Sequence, residues 1–191
     1  MVKDRIKYWD NLKFALIVLV VISHSFTRHV NCSHVVAAML VFINSFHMPL
    51  FFFVSGLFHN NKKIKERCIF LLFAALYFKI LLFLFKQQIW NISSFDLLHE
   101  SSMPWFLWTL LIFTLIMYGL KESNQILILI FSVVLGCLAG YDPFVTHSEL
   151  MSRVVVWFPF YCLGVMQNRE TVYSWLKCSK KGLSEVGKWG G

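Results

Sequence analysis

The sequence predicts an all-α integral membrane protein, a bundle of about six transmembrane helices with both termini in the cytoplasm. Three observations carry that expectation. The chain is 58% hydrophobic and 17% aromatic, with 20 Phe and only 15% charged residues, whereas a soluble domain is typically about 45–50% apolar and roughly 25% charged. The apolar residues gather into six runs. The Lys and Arg residues sit mainly on one side of those runs.

The runs are Phe14–Phe26, Val35–Phe58, Ile69–Phe85, Trp105–Leu120, Ile126–Ala139 and Val154–Met166. A spanning helix needs about 20 residues, in a usual range of roughly 17–25. The second and third qualify outright and the fourth is close. The first, fifth and sixth must borrow flanking residues or stay buried among other helices. Five spans is the main rival count. The opening resembles a signal peptide in its basic start, but Ser23-His24-Ser25 is a poor cleavage site, so an uncleaved first helix is expected.

With the N-terminus inside, the inner segments hold fourteen Lys and Arg, among them Lys3, Arg5, Lys13, Lys62, Lys63, Arg67, Lys121 and Arg169. The outer segments hold only Arg28, Lys86 and Arg153, and Lys79 lies within a span. This bias is the positive-inside pattern. It reads the net charge of +8 as topology, with membrane lipids as partners and no nucleic acid, since a nucleic-acid face would gather its cations on one folded surface. No repeat or linker divides the chain. One domain over 5–166 and a basic cytoplasmic tail over 167–191 are expected, the tail being either a surface-lying amphipathic segment or a frayed end. The five cysteines show no metal-ligand spacing. Cys32 and Cys137 alone approach the outer face, where a disulfide is possible, and free packed thiols are the expectation.

An ionisable side chain inside a span is a functional candidate, because lipid offers it no hydrogen bonds. His24 and His47 are two such residues in neighbouring spans. Lys13 precedes His24 by eleven residues, which is close to three helical turns and about 16 Å, so both leave the same helix face. Asp10, three residues before Lys13, joins that face. A cation at the inner edge can hold a phosphate, and an imidazole further in can act as a general base. The competing reading is a snorkelling Lys13 and a His24 that only bonds a neighbouring helix. His47 has Asn44 one turn before it and Pro49 just after it, and Pro49 frees a backbone carbonyl. Ser55-Gly56 adds a small, close-approach site near the inner end. Lys79 costs about 2.5–3.5 kcal/mol at mid-span, less than the surrounding Leu, Ile and Phe return, and it is expected to snorkel. The cluster around Lys63 and Arg67 is either plain topology or a clamp for a nucleotide-phosphate donor. Trp90, Trp105 and Trp108 mark an outer aromatic belt.

Three segments, RIKYWDNLKFALIVLVVISH, FHMPLFFFVSGLF and MPWFLWTLLIF, together resemble the acyltransferase 3 family of membrane O-acyltransferases, in its fucose 4-O-acetylase-like form. The resemblance covers roughly Arg5 to Met166, the N-terminal part of a family that has more spans than this chain supplies. It implies His24 as the catalytic histidine and Lys13 as its basic partner, with Arg67 and Lys63 standing loosely for the family's cationic inner-loop motif. His47 and Asp10 would assist His24, while Asn44, Ser55 and Trp105 would line the substrate path. It implies acyl-CoA, acetyl-CoA above all, as co-substrate with no permanently bound cofactor or metal. The acceptor would be a hydroxyl of a saccharide or lipid-linked saccharide, in a bacterial inner membrane. The alternative is a truncated, non-catalytic remnant or a transport-associated membrane protein.

Overall fold

A computed structural model of the chain describes residues 7–26, 34–90, 105–141 and 149–186. These form seven α-helices, with no strand among the described residues. They are α1 (Lys7–Phe26), α2 (His34–Leu57), α3 (Ile64–Trp90), α4 (Trp105–Gly119), α5 (Gln125–Ala139), α6 (Glu149–Met166) and α7 (Arg169–Val186). A single 3₁₀ turn, Asn61–Lys63, joins α2 to α3.

Each apolar run lies on a helix, and the boundaries differ where polar residues extend it. α1 starts seven residues before its run because KYWDNLK is itself helical. Trp9, Leu16 and Ser23 form a buried stripe at seven-residue spacing, which holds one helix face against a neighbour. α3 continues past its run at both ends, and Leu71, Ala75 and Lys79 share its buried face. Lys79 is 3% exposed, so it turns into the bundle and does not snorkel to the outer interface. The four-residue spacing from Ala75, which is fully buried, fixes that direction.

Three helices, α1, α2 and α3, are long and apolar enough to cross a membrane by themselves. α4 and α5 have 15 residues each, about 22 Å of helix against a hydrocarbon core of about 30 Å. α6 and the start of α7 pass the same test only together, and they are bent by 87°. The expected six therefore stand as three clear spans, two short apolar helices and one broken element. The tail is helical from Arg169 to Val186, leaving α6 nearly at a right angle.

α2 packs on α6, α5 on α6, α3 on α4, α1 on α2, and α4 on α6. The larger core joins Phe52, Leu71, Leu110, Phe113, Met117, Ile128 and Tyr161. A second core joins Trp9, Leu16, Val54 and Leu57, with Val172 and Tyr173 of α7 against it. Around these cores the outer faces stay apolar. Phe70, Phe73 and Tyr77 on α3 and Leu127, Ile130 and Phe131 on α5 are all exposed. A water-soluble protein rarely exposes a contiguous apolar patch larger than a few hundred Å², so lipid is the solvent these faces suit. The chain is an all-α membrane protein. Cys68, Cys137 and Cys162 are free thiols, while Cys32 lies outside the described residues.

Candidate active site

The residues singled out in the sequence fall at two levels of the bundle. On the outer side, His24 lines a cavity of about 370 Å³ with Val20 and Val21 of α1, Met48 and Phe51 of α2, Phe78 of α3, and Trp105 and Phe106 of α4. His24 is its one ionisable lining residue. Trp105 enters the wall because α4 begins there, and Arg153 of α6 lies 4.5 Å from the Trp105 ring centre, a cation–π contact. One residue before His24, the Ser23 hydroxyl donates to Asn44 Oδ1 at 2.6 Å. That bond fastens α1 to α2 beside the imidazole and fixes the direction in which His24 leaves its helix.

His47 does not join this cavity. It is 5% exposed, and its Nδ1 donates to the Ile43 carbonyl of its own helix at 2.7 Å. That bond fixes Nδ1 as the protonated nitrogen and leaves Nε2 as the acceptor. A second cavity of about 740 Å³, between α4, α5 and α6, is lined by apolar residues with Ser123, Asn124 and Ser132. It contains nothing that titrates.

At the inner end, α2 stops at Leu57 and its last carbonyls need donors. Arg67 supplies them: Nη1 donates to the Phe58 carbonyl at 2.9 Å and Nη2 to the Ser55 carbonyl at 3.2 Å. The guanidinium thus terminates α2 and draws α3 against it. Ser55 is buried and Lys63 is exposed on the 3₁₀ turn. Lys13 reaches the same point from α1, its Nζ 3.5 Å from the Phe58 ring centre. Asp10 lies one turn nearer the N-terminus, partly buried, in the first turn of α1 where an acidic residue favours the helix dipole. Lys13 and His24 therefore occupy the two levels of one helix face, as their spacing requires.

Sequence reasoning missed His59 and Tyr161. His59 Nδ1 meets the Tyr161 hydroxyl at 2.9 Å, and its Nε2 meets Asn61 Oδ1 at 2.8 Å. Since Asn61 Oδ1 can only accept, Nε2 carries the proton, and Nδ1 accepts from Tyr161. Tyr161 is fully buried and lies 3.3 Å from the Thr114 hydroxyl. This chain of contacts ties the inner loop to α4 and α6. Burial, with the nearby Arg67 charge adding to it, holds the His59 pKa below its ordinary value against the opposing bond to Asn61.

Residues 6–169 match the family model described as Acyltransferase domain, that of the acyltransferase 3 group. The chain belongs to the acyltransferase 3 family. The match covers the N-terminal part of a longer family domain. No curated protein and no solved structure matches the chain. Both levels of the site lie inside the acyltransferase 3 match, and Arg169, the first residue of α7, is its last.

Proposed function

We propose that this acyltransferase 3 protein is a membrane O-acyltransferase that moves an acyl group, acetyl in the simplest case, from acyl-CoA to a hydroxyl of a saccharide or lipid-linked saccharide. One observation carries the reading. His24 lines an apolar cavity, and Lys13, about three turns along the same helix, stands among cations at the inner end. A CoA thioester held by its phosphates at Lys13, with Lys63 at the rim, would reach along α1, a distance the extended pantetheine arm can cover. Arg67, bound to two carbonyls, keeps the end of α2 in place and turns its remaining N–H groups to the same rim.

In the reaction, the His24 imidazole takes the proton of the acceptor hydroxyl while the oxygen attacks the thioester carbonyl. A tetrahedral intermediate forms, the C–S bond breaks, and the CoA thiolate leaves with the proton returned by the imidazolium. The apolar wall of Val20, Val21, Phe51 and Trp105 keeps water out, which strengthens each charge interaction in the step. Asn44 supports the base through Ser23, Trp105 walls the acceptor side, and Ser55 lends its carbonyl to Arg67. His47 and Asp10 act behind these groups, by shaping α2 and by setting the charge beside Lys13. The setting is a plasma membrane, in a bacterial host the inner membrane, with the donor entering from the cytoplasm.

The test is transfer of radiolabelled acetyl from acetyl-CoA by purified protein in vesicles, with the His24→Ala variant beside it. Loss of transfer by about 10²–10⁴-fold is expected for removal of a general base, with membrane insertion unchanged. Full activity of His24→Ala overturns the mechanism. A wild-type protein that transfers nothing to any saccharide acceptor overturns the enzymatic reading.

A further inference from the structure

Three chain segments bring cations to Phe58, the residue just past the end of α2. Lys13 Nζ from α1 lies 3.5 Å from the ring centre, and Arg169 Cζ from the start of α7 lies 4.8 Å from it. Arg67 from α3 holds the carbonyl of the same residue. Two cations within 5 Å of one ring centre are at most about 8 Å apart, inside the Debye length at physiological salt. The ring quadrupole attracts each of them but does nothing to offset their mutual repulsion. An anion between them would do so.

A second observation concerns the same ring. Trp9 of α1 meets Phe58 edge-on, with centroids 6.3 Å apart. It is 3% exposed, and its indole N–H has no hydrogen-bond acceptor. Buried donors without acceptors are rare in native structures, and an anion oxygen is the acceptor such a donor suits. The elements explain why the residues meet. The 87° bend after α6 brings the first turn of α7 over the inner ends of α1 and α2, where Val172 and Tyr173 pack on the smaller core and Tyr8 meets Tyr173 at 5.6 Å.

We infer that Lys13 and Arg169, with Trp9 beside them, form a phosphate-binding site around Phe58. The tail helix thereby contributes a binding residue that the spans alone lack. The ligand chemistry is a phosphate mono- or diester at the cytoplasmic border. Its sources are the phosphates of the acyl donor or an anionic lipid head group. The first deepens the acyl-CoA reading and rests on it; the second does not.

The experiment uses the full chain in non-ionic detergent, as wild type, Arg169→Gln, Lys13→Gln and Lys121→Gln. The last removes a cation from the same end of the bundle without touching Phe58. CoA affinity is measured by calorimetry, and retained phosphatidylglycerol is counted by native mass spectrometry. Arg169→Gln keeps most of the stem, and a matching melting temperature checks its fold. Arg169→Ala, judged by the same check, serves if Arg169→Gln fails it. The expected result is CoA binding weakened about ten-fold by Arg169→Gln and by Lys13→Gln, in line with losing a charge-assisted phosphate contact, and by less than two-fold in Lys121→Gln. If CoA binding is unchanged but phosphatidylglycerol retention falls selectively, the site stands and its ligand is lipid. If wild type binds no CoA while lipid retention responds to Arg169→Gln, the acyl-CoA reading falls and the phosphate site survives. If Arg169→Gln changes neither quantity more than Lys121→Gln does, the inference is overturned, and undiminished CoA binding leaves the acyl-CoA reading intact.

Discussion

His59 shows how a residue gains chemistry from partners that sequence spacing does not reveal. Tyr161 is 102 positions away along the chain, so no local motif announces the pair, whereas Lys13 and His24 share one helix and were legible from their eleven-residue interval. The His59 bond to Tyr161 also sets a pH response. The folded-state pKa lies below the model value of 6.5, chiefly because burial disfavours the charged ring. The unfolded chain then binds the proton first as pH falls. Stability from this residue is complete above 6.5 and is lost as pH drops through 6.5 toward the folded value. The expected outcome is that wild type loses more thermal stability than His59→Gln between pH 7.5 and 5.5, followed by unfolding in detergent. Equal losses in both would show that His59 sets no part of the response. His47 gives the opposite lesson. It looked functional beside Asn44 and Pro49, yet its ring bonds its own backbone, and a satisfied core histidine has the same sequence signature.

At the scale of elements, the α2–α6 contact is the closest in the bundle. A Cβ on Gly56 would fall on the Tyr161 carbonyl oxygen and 3.0 Å from Gly164 Cα, and a Cβ on Gly164 would fall on the Phe53 carbonyl oxygen. Backbone atoms occupy that space, so no flexible side chain can move aside. Small residues at membrane helix crossings allow this close approach. Gly164→Ala is expected to destabilise the bundle by about 1–3 kcal/mol, the usual cost of overpacking, read from unfolding midpoints in detergent. Gly119→Ala, where nothing lies within 4 Å, is expected to be neutral. The sequence suggested a close-approach site at Ser55-Gly56 but gave no means to name Gly164, because the partner of a crossing is a property of two elements. Helix positions were legible for the same reason that boundaries were not. Apolar runs mark lipid-crossing cores, while α1, α3 and α7 extend into polar sequence whose helicity comes from caps, turns and packing. Asn168, which accepts from the Glu170 amide at 3.0 Å, is such a cap for α7.

For the whole molecule, the distribution of charge agrees with the contacts. Lys13, His59, Arg67 and Arg169 meet at one end, where α1 and α3 begin and α2 and α6 finish. Arg153 meets Trp105 at the other end, where α4 and α6 begin. Alternate helices therefore run in opposite directions, and the cation-rich end is the one the positive-inside rule assigns to the cytoplasm. Reporter fusions test this. A fluorescent protein joined after Asn61 or Lys121 is expected to fluoresce, and alkaline phosphatase joined after Tyr141 is expected to be active. The reverse pattern would invert the topology and with it the side from which the donor arrives. Composition and lysine placement made this level the most legible of the three, because the solvent acts on every residue at once.

The two glycines of the α2–α6 contact lie close to the inner rim, Gly56 two residues before Phe58 and Gly164 five before Arg169. The crossing is thus a fulcrum with short arms. A methyl group inserted at the pivot would splay the ends of both helices and pull the aromatic ring and the guanidinium apart. The spacing of the inner cations is governed by the absence of two side chains.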